Sequence, residues 1–201
     1  MVSAILAGGL SSRMGKPKEG IQLSDGRLMI QHVIEPLMTV CRTILVVGEC
    51  RGFHAGPNER IHHIVDRLPG RGPMSGLESL LSSGIADGYL VAACDQPLVT
   101  PQMYAKLYEH DPARPCCFVS NSGTESFPFP GYYPANLLGC VRDALESGRH
   151  SVRQLLKESD VACAALSATE ESLVQSFNTP ESLIYLNSII ARSLTGGSRC
   201  A

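Results

Sequence analysis

The chain has 201 residues, 44% hydrophobic and 18% charged, with a formal net charge of −2. That length points to one domain, residues 1–194, followed by a flexible tail over residues 195–201. The charge excludes a general basic field for nucleic acid, and no apolar run reaches the ~20 residues that span a bilayer.

The elements follow in chain order. Val2 to Leu6 reads as a short buried strand that breaks into Ala7-Gly8-Gly9-Leu10-Ser11-Ser12-Arg13-Met14-Gly15. Arg13 is the first basic residue, and the apolar run before it is too short for a signal peptide, so a cytoplasmic location is expected. Lys16-Pro17-Lys18 is followed by Ile21-Gln22-Leu23, an Asp25-Gly26 turn, and a helical pattern over Leu28, Ile30, Val33, Ile34 and Leu37. Thr43 to Val47 is a second strand ending at Gly48, and His63-Ile64-Val65 a third ending at Asp66. Ser75 is the expected N-cap of a helix bearing Leu77, Leu80 and Leu81. Tyr89 to Ala93 is a buried strand that delivers Cys94-Asp95-Gln96-Pro97 at its carboxyl end. Thr100 caps a helix with Pro101 in its first position. Strands at Cys116 to Val119 and Phe127 to Tyr133 follow, then helices from Ala135 and from Ser151. The last helix opens at Asn178-Thr179-Pro180-Glu181 and carries Leu183, Ile184, Leu186 and Ile190. This alternation predicts an α/β fold in three layers, α/β/α, with a mostly parallel sheet.

The chemistry gathers at the carboxyl ends of these strands. The first eighteen residues hold Arg13, Lys16 and Lys18 but no Asp or Glu. Glycines let backbone N–H groups approach phosphate oxygens, and the cations supply charge for a polyphosphate, so this loop outlines an anion site. The spacing fits neither GxxxxGK[ST] nor GxGxxG, which disfavours a P-loop ATPase and a dinucleotide-dependent dehydrogenase. Asp95 ends an otherwise apolar strand, where it is either a ligand for a hard cation such as Mg²⁺ or a turn cap. Asp66 either contacts a ribose or nucleobase or holds its own loop. The eight cysteines contain no CxxC pair; Cys94, Cys116 and Cys117 lie in apolar runs and read as buried thiols rather than zinc ligands. The aromatic segment Phe127 to Tyr133 is either core packing or a stacking surface.

Leu6-Ala7-Gly8-Gly9-Leu10-Ser11-Ser12-Arg13-Met14-Gly15-Lys16-Pro17-Lys18 resembles the LAGGxSxRMGxxK signature of nucleotidyltransferases that act on molybdopterin. Gly72-Pro73-Met74-Ser75-Gly76-Leu77 is similar to that family's GPLAG segment, and the resemblance continues at Cys94-Asp95-Gln96-Pro97 and at Phe177-Asn178-Thr179-Pro180-Glu181-Ser182-Leu183. Gly8-Gly9 and the GPxxG segment look like the guanylyltransferase branch, the MobA type. The resemblance implies a Rossmann-like nucleotidyltransferase fold in a cytoplasmic enzyme that transfers GMP from GTP to molybdenum-molybdopterin and releases pyrophosphate. Its implied partners are GTP, molybdenum-molybdopterin and other proteins of molybdenum cofactor synthesis or use, with no nucleic acid and no membrane. It also implies roles. Leu6, Ala7, Gly8 and Gly9 would contact the nucleotide through backbone groups; Arg13 and Lys18 would stabilise charge on the triphosphate; Asp95 would hold Mg²⁺; Asp66 would contact the nucleotide; Asn178 would lie on the pterin side or cap the last helix. The chain departs from that branch after its second strand, where Gly48-Glu49-Cys50 replaces nucleotide-contacting asparagines. Other readings are a CTP-using molybdopterin cytidylyltransferase, another small nucleotidyltransferase, or a non-catalytic nucleotide-binding regulatory domain.

Overall fold

The structure is a computed structural model that describes residues 1–7, 17–54, 56 and 58–196. The apolar runs Val2–Leu6 (β1), Thr43–Val47 (β2) and Gly88–Ala93 (β4) are the central strands, each too apolar on both faces to lie at a surface. Ile61–Ile64 (β3), Cys116–Val119 (β5), Ser126–Pro134 (β6) and Ala162–Ala165 (β7) complete a seven-stranded sheet in the order β3-β2-β1-β4-β6-β5-β7. All neighbouring strands pair in parallel except β6, which runs antiparallel to β4 and β5.

The period of two along the strands divides the interior into two cores. Ile5, Ile44, Val46, Leu90 and Ala92 face Met29–Val40 (α1) and Pro101–Tyr108 (α3), through Ile30, Val33, Leu37, Met103 and Leu107. Ala4, Leu45, Val47, Tyr89 and Val91 face Pro73–Leu81 (α2), Leu138–Glu146 (α4) and Val152–Glu158 (α5), through Met74, Leu77, Leu80, Val141 and Leu155. A smaller cluster seats Pro180–Gly196 (α7) on the segment before α1: Phe177, Leu186 and Ile190 pack with Leu23 and Met29. Ala168–Glu171 (α6) lies between β7 and a short 3-10 turn at Ser172–Val174. No helix among the described residues is long and apolar enough to cross a membrane.

Several expected details shift. The third strand is Ile61–Ile64, so Val65 is outside the ladder and 81% exposed. Helix α2 starts at Pro73 behind Gly72, whose positive φ of 70° suits glycine. Ser75 is therefore inside the helix rather than at its cap. Ala135–Leu137 is a 3-10 turn leading into α4. Ser182 N–H donates to Thr179 Oγ1 at 3.2 Å, so the cap of α7 is Thr179 and not Asn178. Ile184, read as a core position of α7, is 73% exposed. Helix α7 continues through Thr195 and Gly196; residues 197–201 lie outside the described residues.

Candidate active site

Chain order and sheet order reverse beside β1. The chain runs from β1 outward to β2 and β3, then returns through α2 to β4 on the other side of β1. A crevice at the carboxyl ends of β1 and β4 is where an open α/β sheet binds ligands.

At the end of β4, Asp95 Oδ2 accepts a hydrogen bond from Lys18 Nζ at 3.0 Å, across 77 residues of sequence. The two side chains are 14% and 24% exposed, buried enough to hold their geometry and open enough to meet a ligand. Lys18 opens a 3-10 turn, Lys18–Gly20, fixed from below. Glu19 is buried, and its Oε1 accepts from Arg51 N–H at 3.1 Å. A Cβ at Gly20 would lie 2.7 Å from Gly52 Cα, so the two backbones touch where only glycine fits. Farther along, Ser24 N–H donates to Asn187 Oδ1 at 2.8 Å, and Ser24 Oγ donates to Asn187 O at 3.1 Å. Asp95 is held through its backbone as well, its carbonyl accepting from Phe177 N–H at 2.8 Å. Burial, with the Asp95 charge second, pushes the neighbouring Cys94 thiol well up, which leaves no thiolate nucleophile there.

The structure thus brings Lys18 and Asp95 together. Leu6 and Ala7 sit at the end of β1 with their sheet groups already used: Leu6 O accepts from Cys94 N–H at 3.3 Å, and Ala7 N–H donates to Val47 O at 2.9 Å. Gly8, Gly9 and Arg13 lie outside the described residues. Asp66 stands beyond β3, on the far side of β2, with its carboxylate engaged. Oδ1 accepts from Leu68 N–H at 3.0 Å and Oδ2 accepts from Ser75 Oγ at 2.8 Å, which ties the loop to α2. Asn178 follows Phe177, one residue from the anchor on Asp95 O, and its side chain has no hydrogen-bond partner among the described residues. At Gly48, in place of the expected asparagines, φ is +99° and an added Cβ would lie 2.2 Å from Ala7 O. That position serves the close approach of β1 and β2.

A cleft of about 460 Å³ opens beside β4, within the range of small-ligand sites. Phe127, Pro128 and Phe129 form one wall, while Val174, Gln175 and Ser176 form another. Tyr132 and Tyr133 are buried, so the aromatic segment of β6 splits between core and cleft. Gln96, one of the residues lining this cleft, was not singled out by sequence reasoning, although its place next to Asp95 was the available signal. It is 4% exposed, and its Nε2 donates to Phe129 O at 2.8 Å and Val174 O at 2.6 Å. The thiols of Cys116 and Cys117 are buried in β5 and pushed up to about 12 by that burial. No cluster of three or more His, Cys, Asp or Glu that could hold a metal occurs among the described residues.

A family model described as the MobA-like NTP transferase domain matches residues 3–163. A probable molybdenum cofactor guanylyltransferase of Methanothermobacter thermautotrophicus is 30% identical over 195 residues, covering 90% of this chain and 95% of that protein. Its counterpart from Flavobacterium johnsoniae is 24% identical over 187 residues, covering 93% and 96%. Among solved structures, molybdopterin-guanine dinucleotide biosynthesis protein A of Archaeoglobus fulgidus superposes with a TM-score of 0.77 at 21% identity, covering 96% of this chain and all of that one. The 2-C-methyl-D-erythritol 4-phosphate cytidylyltransferase of Thermus thermophilus gives 0.71 at 16% identity, covering 94% and 98%. These last two likenesses establish the fold.

Proposed function

The chain belongs to the MobA-like NTP transferase family, and from that premise we propose that this nucleotidyltransferase moves GMP from GTP onto molybdenum-molybdopterin. The observation that carries the reading is the Lys18–Asp95 pair, 3.0 Å apart at the β1/β4 reversal, in a chain whose relatives bear that activity in their names. The acceptor's terminal phosphate oxygen attacks the α-phosphorus of GTP; a P–O bond forms there and the bond to the β-phosphate oxygen breaks, releasing pyrophosphate. No enzyme nucleophile is required, so catalysis consists of positioning and charge neutralisation.

Lys18 Nζ is a point charge for the triphosphate, and Arg13 is assigned the same task from its motif. The Leu6–Gly9 backbone and Asp66 are assigned to the nucleotide on the same basis. The cleft beside β4, whose lining includes Gln96 next in sequence to Asp95 and an aromatic wall, is assigned to the pterin, and Asn178 joins it on the basis of its motif. Asp95 also suits Mg²⁺, which binds through one or two carboxylates together with phosphate oxygens rather than in an all-protein cage. When bound, Mg²⁺ would supply positive charge to the phosphate oxygens at Asp95. Lys18 Nζ donates to the same carboxylate at 3.0 Å. The fold is shared with cytidylyltransferases, so the choice of base is what needs testing.

Pyrophosphate release should be followed with GTP and with CTP, each in the presence of molybdopterin. Faster turnover with GTP is expected; equal or better use of CTP discards the guanylyl assignment. For the metal, Asp95→Asn should retain nucleotide binding but lose Mg²⁺-dependent turnover. Wild-type turnover with an unchanged Mg²⁺ dependence in that variant would remove Asp95 from the metal site.

A further inference from the structure

The residue that follows Lys18 is a buried acid that the reaction above does not use. Glu19 is 3% exposed, and a carboxylate taken out of water costs free energy unless it is hydrogen-bonded. An apolar side chain would fill the same space without that cost. What the carboxylate adds is an acceptor: its Oε1 accepts from the backbone N–H of Arg51 at 3.1 Å, across 32 residues of sequence. One residue farther along, the same two segments meet again. A Cβ at Gly20 would lie 2.7 Å from Gly52 Cα, and a Cβ at Gly52 would lie 2.5 Å from Gly20 Cα. Glu19–Arg51 and Gly20–Gly52 together form a seam between the turn that carries Lys18 and the loop that follows β2.

Two thiols locate the carboxylate within the crevice. Burial comes first and the Glu19 charge second in pushing Cys50 up to about 11; behind burial and Asp95, Glu19 also raises Cys94. Cys50 follows β2 and Cys94 follows β4, so Glu19 lies between these strand ends rather than on the outside of the turn. Lys18 needs support of this kind, because its ammonium ends a flexible four-carbon stem. The turn's local bonds, Gly20 N–H to Pro17 O at 3.3 Å and Ile21 N–H to Lys18 O at 3.1 Å, close it on itself without tying it to the rest of the protein. The seam supplies that tie.

We propose that Glu19 is the positioning residue for Lys18: by accepting from Arg51 N–H it fastens the lysine turn to the loop after β2 and so holds the ammonium at Asp95. The inference rests on the assignment of Lys18 to the triphosphate. Glu19 touches no reacting atom. It acts through Lys18, so its effect on turnover vanishes once the Lys18 ammonium is gone.

The test is a double-mutant cycle. Pyrophosphate release at saturating GTP and molybdopterin is measured for the wild type, Lys18→Ala, Glu19→Met and the double variant, each checked by its melting temperature. Glu19→Met fills the space but offers no oxygen. It should lower kcat about tenfold or more, because a small displacement of a charge-stabilising group is enough for such a loss. Made in Lys18→Ala, the same substitution should change kcat by less than about twofold. Glu19→Gln, which loses the charge and keeps the acceptor, should stay within about threefold of wild type. Equal fractional losses in both backgrounds overturn the proposal, since they describe a residue that only supports the fold. So does Glu19→Met with wild-type turnover, or Glu19→Gln falling as far as Glu19→Met. If Glu19→Met does not fold, the cycle is run with Gly52→Ala, which forces the seam apart and leaves Glu19 in place, and the same outcomes decide. Lys18→Ala with wild-type turnover would remove the proposed function's use of Lys18 together with this inference. Any of the other adverse outcomes, alongside the expected loss in Lys18→Ala, removes this inference alone.

Discussion

Lys18 and Asp95 form an ion pair that is open enough for water to screen, so the pair itself adds little to stability, of order 0–1 kcal/mol. Under the proposed function its contribution lies in presenting a cation where phosphate charge develops. Lys18→Ala should leave the melting temperature within a few degrees while reducing turnover about 100-fold or more, as when one preorganised donor is lost. Comparison of thermal melts with pyrophosphate release checks both halves. Gly48 behaves oppositely. With φ at +99° and Ala7 O 2.2 Å from any added Cβ, Gly48→Ala should cost at least about 2 kcal/mol and lower the melting temperature by about 4–8 °C. An unchanged melt would show that β1 and β2 can part at that point without penalty. Residue chemistry was unevenly legible in the sequence. Lys18 and Asp95 stood out because each interrupts an apolar or glycine-rich run with a charge. Gln96 did not, because its meaning depends on two carbonyls 33 and 78 residues away.

Among the elements, strands built from Val, Ile and Leu could be read directly, and β2 has the predicted bounds of Thr43–Val47. Strand β7 was missed because Ala162–Ala165 has the composition of a helix; it is a strand because β5 needs a neighbour, and the two pair in parallel. The direction of β6 was legible in principle, since six residues between Val119 and Ser126 are too few for a parallel crossover. Helix α6, only four residues long, is stabilised by its surroundings. Ser167 caps it, and Glu170 accepts from Lys106 of α3 at 2.5 Å. The Lys106 ammonium, followed by the Ser167 hydrogen bonds, pulls the Glu170 carboxyl down to about 2 from its ordinary 4.5. A carboxyl depressed by folding stabilises the protein above its unfolded pKa and loses that stabilisation as pH falls. The α6–α3 contact should therefore weaken between about pH 4.5 and pH 2. Lys106→Ala should flatten this part of the stability–pH curve, as measured by urea unfolding; a curve parallel to wild type would remove the pair from that role.

At the scale of the molecule, the two cores on opposite faces of the sheet followed from the alternation of strands and helices, whereas the third cluster did not. Leu23, Met29, Phe177, Leu186 and Ile190 come from opposite ends of the chain, and no local pattern joins them. That cluster has a thermodynamic consequence. The family match ends at residue 163, yet Asp95 is bonded to Phe177, and the segment that carries Lys18 is fastened to Asn187. Whatever ligand engages Lys18 and Asp95 together is therefore linked to the docking of α7, and free energy added at one must appear at the other. Loosening the clasp with Asn187→Ala should weaken nucleotide affinity from a position that touches no nucleotide. Conversely, saturating nucleotide should slow amide hydrogen exchange along α7, and unaltered exchange would separate the helix from the site. The C-terminal helix is in this sense a distant reporter of occupancy: its protection against exchange would read out, from the opposite end of the sequence, whether Lys18 and Asp95 have met a ligand.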